Sequence, residues 1–174
     1  MTLGVSSDID LWTAFTAKAE LLGAAVVRVH SEEAAAHLLH EAAPTLVLTG
    51  SAAARFPSIA AQFARAGGEA APEVAALAEF GVAETGSLAL NEPRVDRGVC
   101  FLADRLWLLV PHERIVTTID EAFVQLADLT RAGGGKHPLL MSGPSRTADI
   151  ERVLTIGVHG PRSLVAVIVD SPVR

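Results

Sequence analysis

The chain has 174 residues, of which half are hydrophobic, 14 are basic and 20 are acidic, so its formal net charge is -6. This length and apolar content favour one domain over residues 1–174 and exclude an intrinsically disordered chain. The acidic balance argues against a general nucleic-acid binder, and no apolar run reaches the roughly 18 residues that a membrane span needs. Because Cys100 is the single cysteine, the chain can form neither an internal disulfide nor a cysteine-ligated zinc site or iron–sulfur cluster.

Hydrophobic periodicity predicts an alternation of helices and strands. In chain order the predicted elements are helix Ile9–Leu22, strand Ala25–Val29, helix Glu32–Glu41, strand Thr45–Thr49, helix Ser58–Arg65, strand Ser87–Leu90, strand Leu106–Val110, helix Asp120–Thr130, strand Leu139–Met141, helix Thr147–Val158 and strand Leu164–Val169. Ser31 is a good N-cap for the second helix. Alternating elements with short connections are typical of a parallel sheet covered by helices on both faces.

The middle of the chain interrupts this alternation. Only a polar, arginine-bearing connection, Asn91–Arg105, joins two predicted strands, and no crossover helix is predicted in it. An antiparallel or mixed section of sheet is therefore expected there. Arg97 in this connection could bind a carboxylate or phosphate, or could be a solvated charge. The apolar strand Leu106–Val110, if it lies at an edge, would permit a homodimer.

The loop Ser142–Glu151 follows a predicted strand and leads into a predicted helix that begins near Thr147. A helix N-terminus offers unpaired N–H groups to an anion, and Arg146 adds a guanidinium donor, so this loop is a candidate site for a small anionic ligand. In the structural alternative, Ser145 or Thr147 caps the helix and Asp149 interacts with its dipole.

The loop Ala83–Ser87 places Glu84 between apolar residues. Its carboxylate could be a nucleophile or a general base, or it could cap a turn or pair with an arginine. Of the six histidines, His37 and His40 share a helix but lack a third ligand at a recognisable spacing, so no metal site is predicted. The N-terminal residues Met1–Asp10 carry two acids and no base, so no leader is expected and the expected compartment is the cytoplasm.

Three motifs together resemble the LUD domain family of the lactate utilization protein C type. They are Ala83-Glu-Thr-Gly-Ser87, Ser142-Gly-Pro-Ser-Arg-Thr-Ala-Asp-Ile-Glu151 and Gly157-Val-His-Gly-Pro161, and the resemblance is most specific over residues 80–170. The family's motif residues fall on Glu84, Thr85, Gly86, Arg97, Ser142, Gly143, Ser145, Arg146, Thr147, Asp149, Glu151, His159 and Gly160.

The resemblance implies a three-layer αβα fold with a mainly parallel, mixed sheet, related to ribose-5-phosphate isomerase and the CoA transferases. It also implies an accessory, non-redox subunit of a bacterial system that oxidises L-lactate to pyruvate, with iron–sulfur clusters in two partner proteins and no cofactor in this chain. Two alternatives stay open. One is a stand-alone isomerase or acyl-CoA transferase that uses Glu84, and the other is a module that binds a small anion without chemistry.

Overall fold

The computed structural model describes residues 7–134, 136–148, 154–156 and 160–170. The helices in these ranges are α1 (Ser7–Leu21), α2 (Glu32–Ala42), α3 (Gly50–Arg55), α4 (Pro57–Ala60), α5 (Arg94–Leu102) and α6 (Ile119–Ala132). The strands are β1 (Ala25–Val29), β2 (Val47–Leu48), β3 (Ala64–Arg65), β4 (Glu73–Val82), β5 (Ser87–Leu90), β6 (Arg105–Pro111), β7 (Ile115–Val116), β8 (Leu139–Met141), β9 (Arg146–Ala148), β10 (Leu154–Ile156) and β11 (Ser163–Val169). No described helix is long and apolar enough to cross a membrane.

Strand β4 belongs to two sections of one nine-stranded sheet. Its first half lies within a parallel section of order β1-β11-β6-β4-β2-β3. Its second half pairs antiparallel with β5 and parallel with β7, and β8 continues from β5 in antiparallel orientation. The predicted α/β fold with a mainly parallel, mixed sheet is therefore confirmed, including the antiparallel section near the middle of the chain.

Helices cover both faces of the parallel section. The side chains of β6 alternate, so that Leu106 and Leu108 pack in a core with α1 and α5, whereas Trp107 and Leu109 pack in a core with α2, α3 and α4. A strand that is buried on both faces has a continuous apolar sequence, as β6 does. Strand β6 lies between β11 and β4, so its expected position at an edge, on which the homodimer expectation depended, is wrong.

Several predicted elements have the expected bounds. The strands β1, β5 and β8 begin and end at the predicted residues, and β6, β11, α1, α2 and α6 differ by one or two residues at an end. The cap of α2 is also confirmed, because the Ser31 side chain accepts a hydrogen bond from the backbone N–H of Ala34 at 3.1 Å.

The predicted helix Thr147–Val158 is wrong. Two strands lie in the described part of this range, and β9 pairs antiparallel with β10. Both strands contain threonine, and β10 adds Ile156. Because β-branched side chains lose conformational freedom in a helix and fit a pleated strand, the local preference there is for extended backbone. Residues 149–153 and 157–158 of the predicted helix lie outside the described residues.

Two other predictions fail in the first two thirds of the chain. Helix α5 lies where no crossover helix was expected; it is nine residues long, and its first five residues include two arginines, an aspartate and Gly98, a poor helix former. The predicted helix Ser58–Arg65 is limited to the short α4, and the chain then enters β3. No element was predicted over the alanine-rich strand β4, since alanine is uncommon in strands.

Candidate functional site

Hydroxyl groups link the two predicted loops. The Oγ1 of Thr85 donates to the Oγ of Ser87 at 2.8 Å, and the Oγ atoms of Ser87 and Ser142 lie 2.6 Å apart. Ser87 is buried, with 2% of its surface exposed, whereas Ser142 is exposed. Ser87 accepts from Thr85, and in the contact between Ser87 and Ser142 either hydroxyl can be the donor. The structure thus brings together residues that the sequence placed in separate motifs.

A glycine in each loop packs against the C-terminal end of α1, Gly86 against Ala19 in the helix and Gly143 against Leu22 just after it. Gly86 has a φ of +67°, and a Cβ at this position would lie 2.4 Å from the backbone nitrogen of Ala19. Gly143 has a φ of +93°, and its Cβ would lie 2.6 Å from the carbonyl oxygen of Leu22. A side chain would be strained by the backbone conformation and would also collide with main-chain atoms. Both motif glycines therefore fix how closely the loops approach α1.

The second loop also borders a small cleft beside β8. The backbone N–H of Ser145 donates to the carbonyl of Pro161 at 2.9 Å, which joins the loop to the segment before β11. The cleft has a volume of about 220 Å³ and is mostly apolar. Its lining residues are Phe101, Leu139, Leu140, Met141, Gly143, Ser145, Gly160 and Pro161.

Glu84 makes a structural contact. Its Oε2 accepts a hydrogen bond of 2.8 Å from the backbone N–H of Ile119, the first residue of α6, and its own N–H donates to the carbonyl of Thr117. The same helix end carries a capping box formed by Thr118 and Glu121. Glu84 is exposed, and its carboxylate lies where the positive end of the helix dipole favours negative charge. This matches the capping alternative, and a catalytic role of Glu84 stays a prediction.

The other predicted site residues are only partly described. The backbones of Arg146 and Thr147 lie in β9, so the anion site that was expected at a helix N-terminus at Thr147 has no helix to form it. Asp149, Glu151 and His159 lie outside the described residues. Arg97 lies on α5, where its guanidinium is 3.4 Å from the carbonyl oxygen of His137, and no described contact joins it to either loop.

Cys100 is buried in the core beneath α5. Burial raises the pKa of its thiol well above the usual range, and the carboxyl groups of Glu92 and Asp96 add to the increase when they are ionised. The neutral thiol is a poor nucleophile and a poor metal ligand, because both roles need the thiolate. Among the described residues no three His, Cys, Asp or Glu side chains lie close enough together to hold a metal ion.

Sequence reasoning missed a group of buried polar side chains where β2 and β5 end. Glu92 is fully buried, and its Oε1 accepts hydrogen bonds from the Thr49 hydroxyl at 2.6 Å and the Leu77 N–H at 3.4 Å. Its Oε2 has no hydrogen-bond partner in the described part of the chain, and the same holds for the Oδ1 of Asn91. Polar residues that directly follow two apolar strands, Thr49-Gly-Ser51 and Asn91-Glu92, were the available signal.

The environment of Glu92 favours its neutral form. Burial raises the pKa of its carboxyl, and this effect outweighs the lowering by Thr49, Ser51 and the Leu77 N–H, while the charge of Asp96 adds to the increase. An ionised carboxylate is costly to bury without a full set of partners, so the folded environment favours the protonated form. In that form Glu92 can donate a hydrogen bond as well as accept one.

Comparisons with known proteins agree with the motifs. Residues 76–169 match the family model of the LUD domain. A stretch of 92 residues is 35% identical to lactate utilization protein C 1 of Bacillus mycoides, which covers 51% of this chain and 39% of that protein. The chain is also 37% identical over 92 residues to lactate utilization protein C of Deinococcus radiodurans, and this alignment covers 51% of this chain and 42% of that protein. The aligned parts thus span about two fifths of the length of these curated relatives.

The fold also has a solved counterpart. The crystal structure of a DUF162 family protein from Deinococcus radiodurans superimposes with a TM-score of 0.66, at 21% sequence identity, over 95% of this chain and 99% of that chain. This likeness shows a shared fold, and the relation to ribose-5-phosphate isomerase and the CoA transferases stays a prediction. Since the LUD model matches more than half of the residues, and the match contains the loops built around Gly86 and Gly143, the chain belongs to the LUD domain family.

Proposed function

We propose that this chain is an accessory, non-redox component of a cytoplasmic lactate-utilization system in which iron–sulfur partner proteins oxidise L-lactate to pyruvate. The observation that carries the proposal is the 35–37% identity to two proteins named lactate utilization protein C. The region that matches the LUD family model contains both motif loops and the hydroxyl chain from Thr85 to Ser142.

The chemistry of the only cysteine supports the non-redox assignment. Iron–sulfur clusters are held mainly by cysteine thiolates, and usually by four of them. This chain has Cys100 alone, and that thiol is buried with a raised pKa. The cluster ligands of the proposed system would therefore come from the partner proteins.

The stand-alone enzyme has less support from the geometry. In an isomerase or acyl-CoA transferase mechanism Glu84 would act as a base or nucleophile, and its carboxylate would have to face a substrate. Instead its Oε2 accepts a hydrogen bond from Ile119 at the exposed start of α6. The anion-binding helix terminus proposed to work with it is replaced by β9.

The test is an affinity purification of the tagged chain from its native host grown on L-lactate, followed by mass spectrometry and visible absorption. We expect a cysteine-rich partner to co-purify and the eluate to absorb in the visible range as iron–sulfur proteins do. The controls are the untagged strain and cells grown without lactate. A colourless eluate that contains only the tagged chain, from lactate-grown cells that express it well, would contradict the proposal.

A further inference from the structure

Strand β1 leaves an edge of the sheet open. Among the described strands it pairs with β11 alone, so it ends the parallel section. Its neighbours in register, Ala166 and Val167, are fully buried, whereas Val26 and Val27 are partly exposed on opposite faces of the sheet. The other end of the parallel section, β3, has only two residues, and a short edge strand is one way in which proteins prevent edge-to-edge pairing. Strand β1 has five residues, four of them apolar, and is long enough to pair.

The hydrogen bonds of β1 show which backbone groups face the open edge. The carbonyl of Val29 accepts from the N–H of Asp170, the residue after β11, so the backbone groups of Val29 point toward β11. Since the backbone groups of successive residues in a strand point to opposite sides, those of Val26 and Arg28 point away from β11. The open edge therefore presents two N–H donors and two carbonyl acceptors that have no partner strand in the described part of the chain.

An antiparallel pairing of two β1 strands around Val27 would satisfy all four groups. A two-fold axis at Val27 places Val26 opposite Arg28 of the second copy, and Arg28 opposite Val26 of the second copy. Opposite residues whose backbone groups face each other exchange two hydrogen bonds, so these two pairs form four. A register centred on Val26 or on Arg28 would form two within β1, and the latter would also place two arginines side by side.

The charges beside β1 are complementary in this register. Helix α1 leads into β1 through a short turn and runs antiparallel to it along a groove of about 460 Å³, which Glu20 and Arg28 both line. At the far end of this groove the Trp12 indole N–H donates to the carbonyl of His112, which follows β6 at the level at which β1 ends. Glu20 thus lies near the start of β1 and Arg28 near its end. Pairing around Val27 reverses the second strand, so it brings Arg28 of the second copy toward Glu20.

Both charged groups can make this contact. The Nε of Arg28 donates to Asp170 at 2.9 Å, and no contact between its two Nη groups and a described residue is found. The Glu20 side chain is exposed, and its carboxylate likewise has no partner among the described residues. Because the axis is normal to the sheet, side chains that face α1 in one copy face it in the other, and the ion pair forms twice.

We propose that this chain forms a two-fold symmetric homodimer in which the β1 strands of two copies pair antiparallel around Val27. The two sheets become continuous, and the second copy covers Val26 and Val27 on the two faces of the sheet. Because both copies use the same edge, the contact closes at two chains and does not extend into a filament. The dimer needs no ligand and no other protein, so it stands apart from the proposed function.

The first test is the mass of the purified, untagged full chain in solution, measured by sedimentation velocity over a dilution series. We expect a species of about twice the 18.2 kDa of one chain that dissociates on dilution. Glu20→Lys should raise the dissociation constant of the dimer about tenfold, since it replaces an attraction by a repulsion at two symmetric places. Glu69→Lys makes the same change of charge at an exposed position away from β1 and should leave the dissociation constant unchanged.

The second test examines the register by disulfide cross-linking in air. At a pair without mutual hydrogen bonds the two Cα atoms lie about 4.5 Å apart, within the range that a disulfide spans, so Val27→Cys should give a covalent dimer on a non-reducing gel. Ala25→Cys is the matched control: it lies on the same strand and face, but its copies would be four residues out of register, about 13 Å apart. The native thiol of Cys100 is buried and should not react.

A single species with the mass of one chain at every concentration would overturn the proposal, and so would an assembly larger than a dimer. A dimer that Glu20→Lys leaves unchanged, or one in which Ala25→Cys cross-links as readily as Val27→Cys, would show that the copies meet elsewhere or in another register. Glu20 is exposed on α1, so its substitution tests the interface without disturbing the core.

Discussion

The Oγ atoms of Ser87 and Ser142 lie 2.6 Å apart, although 55 positions separate the two residues in the sequence. Ser87 begins β5 and Ser142 follows β8, and these strands pair antiparallel, with Leu88 opposite Met141. The strand register therefore sets the contact between the two motif loops. Thr85, which is partly exposed, extends the chain of hydroxyls within the first loop.

This contact predicts an energetic coupling between the two serines. Ser87→Ala should lower the free energy of unfolding by about 1–2 kcal/mol, since it leaves the Thr85 hydroxyl without its acceptor. Ser142→Ala should cost less, because Ser142 is exposed and water can replace its hydroxyl. In a double-mutant cycle followed by urea denaturation, we expect a coupling of about 0.5–1 kcal/mol. Strictly additive effects would show that the hydrogen bond does not contribute.

A second prediction concerns Gly86, a position that only a residue without a side chain can occupy. Gly86→Ala should lower the free energy of unfolding by about 2–4 kcal/mol, because the new Cβ meets the α1 backbone at a positive φ. Gly98→Ala is the matched control: Gly98 lies in α5, and a Cβ added there would have no atom within 4 Å, so the same change should raise stability by about 0.5–1 kcal/mol. Equal effects of the two substitutions on Tm would contradict the close packing.

Sequence patterns predicted the elements that carry a regular local signal. Strand β6 is buried on both faces and reads as an unbroken apolar run, and α2 carries a capping serine before acidic residues and a regular apolar face. Strand β4 and helix α5 were missed because residues of low local preference interrupt them, alanine and Gly81 in the strand and Gly98 in the helix. Three of the ten residues of β4 are alanine, and α5 has two buried side chains, Val99 and Cys100.

The candidate site, too, could be predicted from the sequence only in part. The motifs located the loops that contain Glu84, Gly86 and Ser142, but neither spacing nor composition shows which side chains meet across a sheet. The group around Glu92 depends on β4 as the common neighbour of β2 and β5, and β4 was not predicted. A buried carboxyl whose partners come from Thr49 and Leu77 is visible only once that strand is in place.

A third prediction separates the capping role of Glu84 from catalysis. Glu84→Gln should lower the free energy of unfolding by about 0.5–1 kcal/mol, because the amide keeps an acceptor for the Ile119 N–H but loses the charge that the helix dipole favours. Glu69→Gln, at an exposed position, removes the same charge and should change stability by less than about 0.5 kcal/mol. The two proteins are compared by urea denaturation at low salt, where the dipole effect is largest.

The same variant also tests the chemical alternative. If Glu84 only caps α6, Glu84→Gln should still recover the partner proteins in the affinity purification. Loss of a measured catalytic activity in a variant with unchanged stability would instead favour the nucleophile or base role that the sequence left open.

The last prediction follows from the raised pKa of Glu92. Burial raises the pKa of this carboxyl above its ordinary value of 4.5, so the folded state holds its proton more tightly than the unfolded state does. Below pH 4.5 both states are protonated, and the contribution of Glu92 to stability is fully present. As the pH rises through 4.5 the unfolded chain ionises first, and stability is lost until the pH passes the raised pKa of the folded state.

Glu92→Gln removes this titration while it keeps the size of the side chain and an acceptor for Thr49. We therefore expect the stability of the native chain relative to Glu92→Gln, measured by urea denaturation, to decrease as the pH rises above 4.5 and until it passes the raised pKa of the folded state. Asp170 contributes in the opposite direction, because its pKa is lowered: the hydrogen bonds from Arg28 and His30 outweigh the effect of partial burial. Comparison of the two proteins at each pH cancels this contribution, since both contain Asp170. A stability difference that stays constant across this range would show that Glu92 titrates alike in the folded and unfolded chain, and that its buried oxygen is solvated after all.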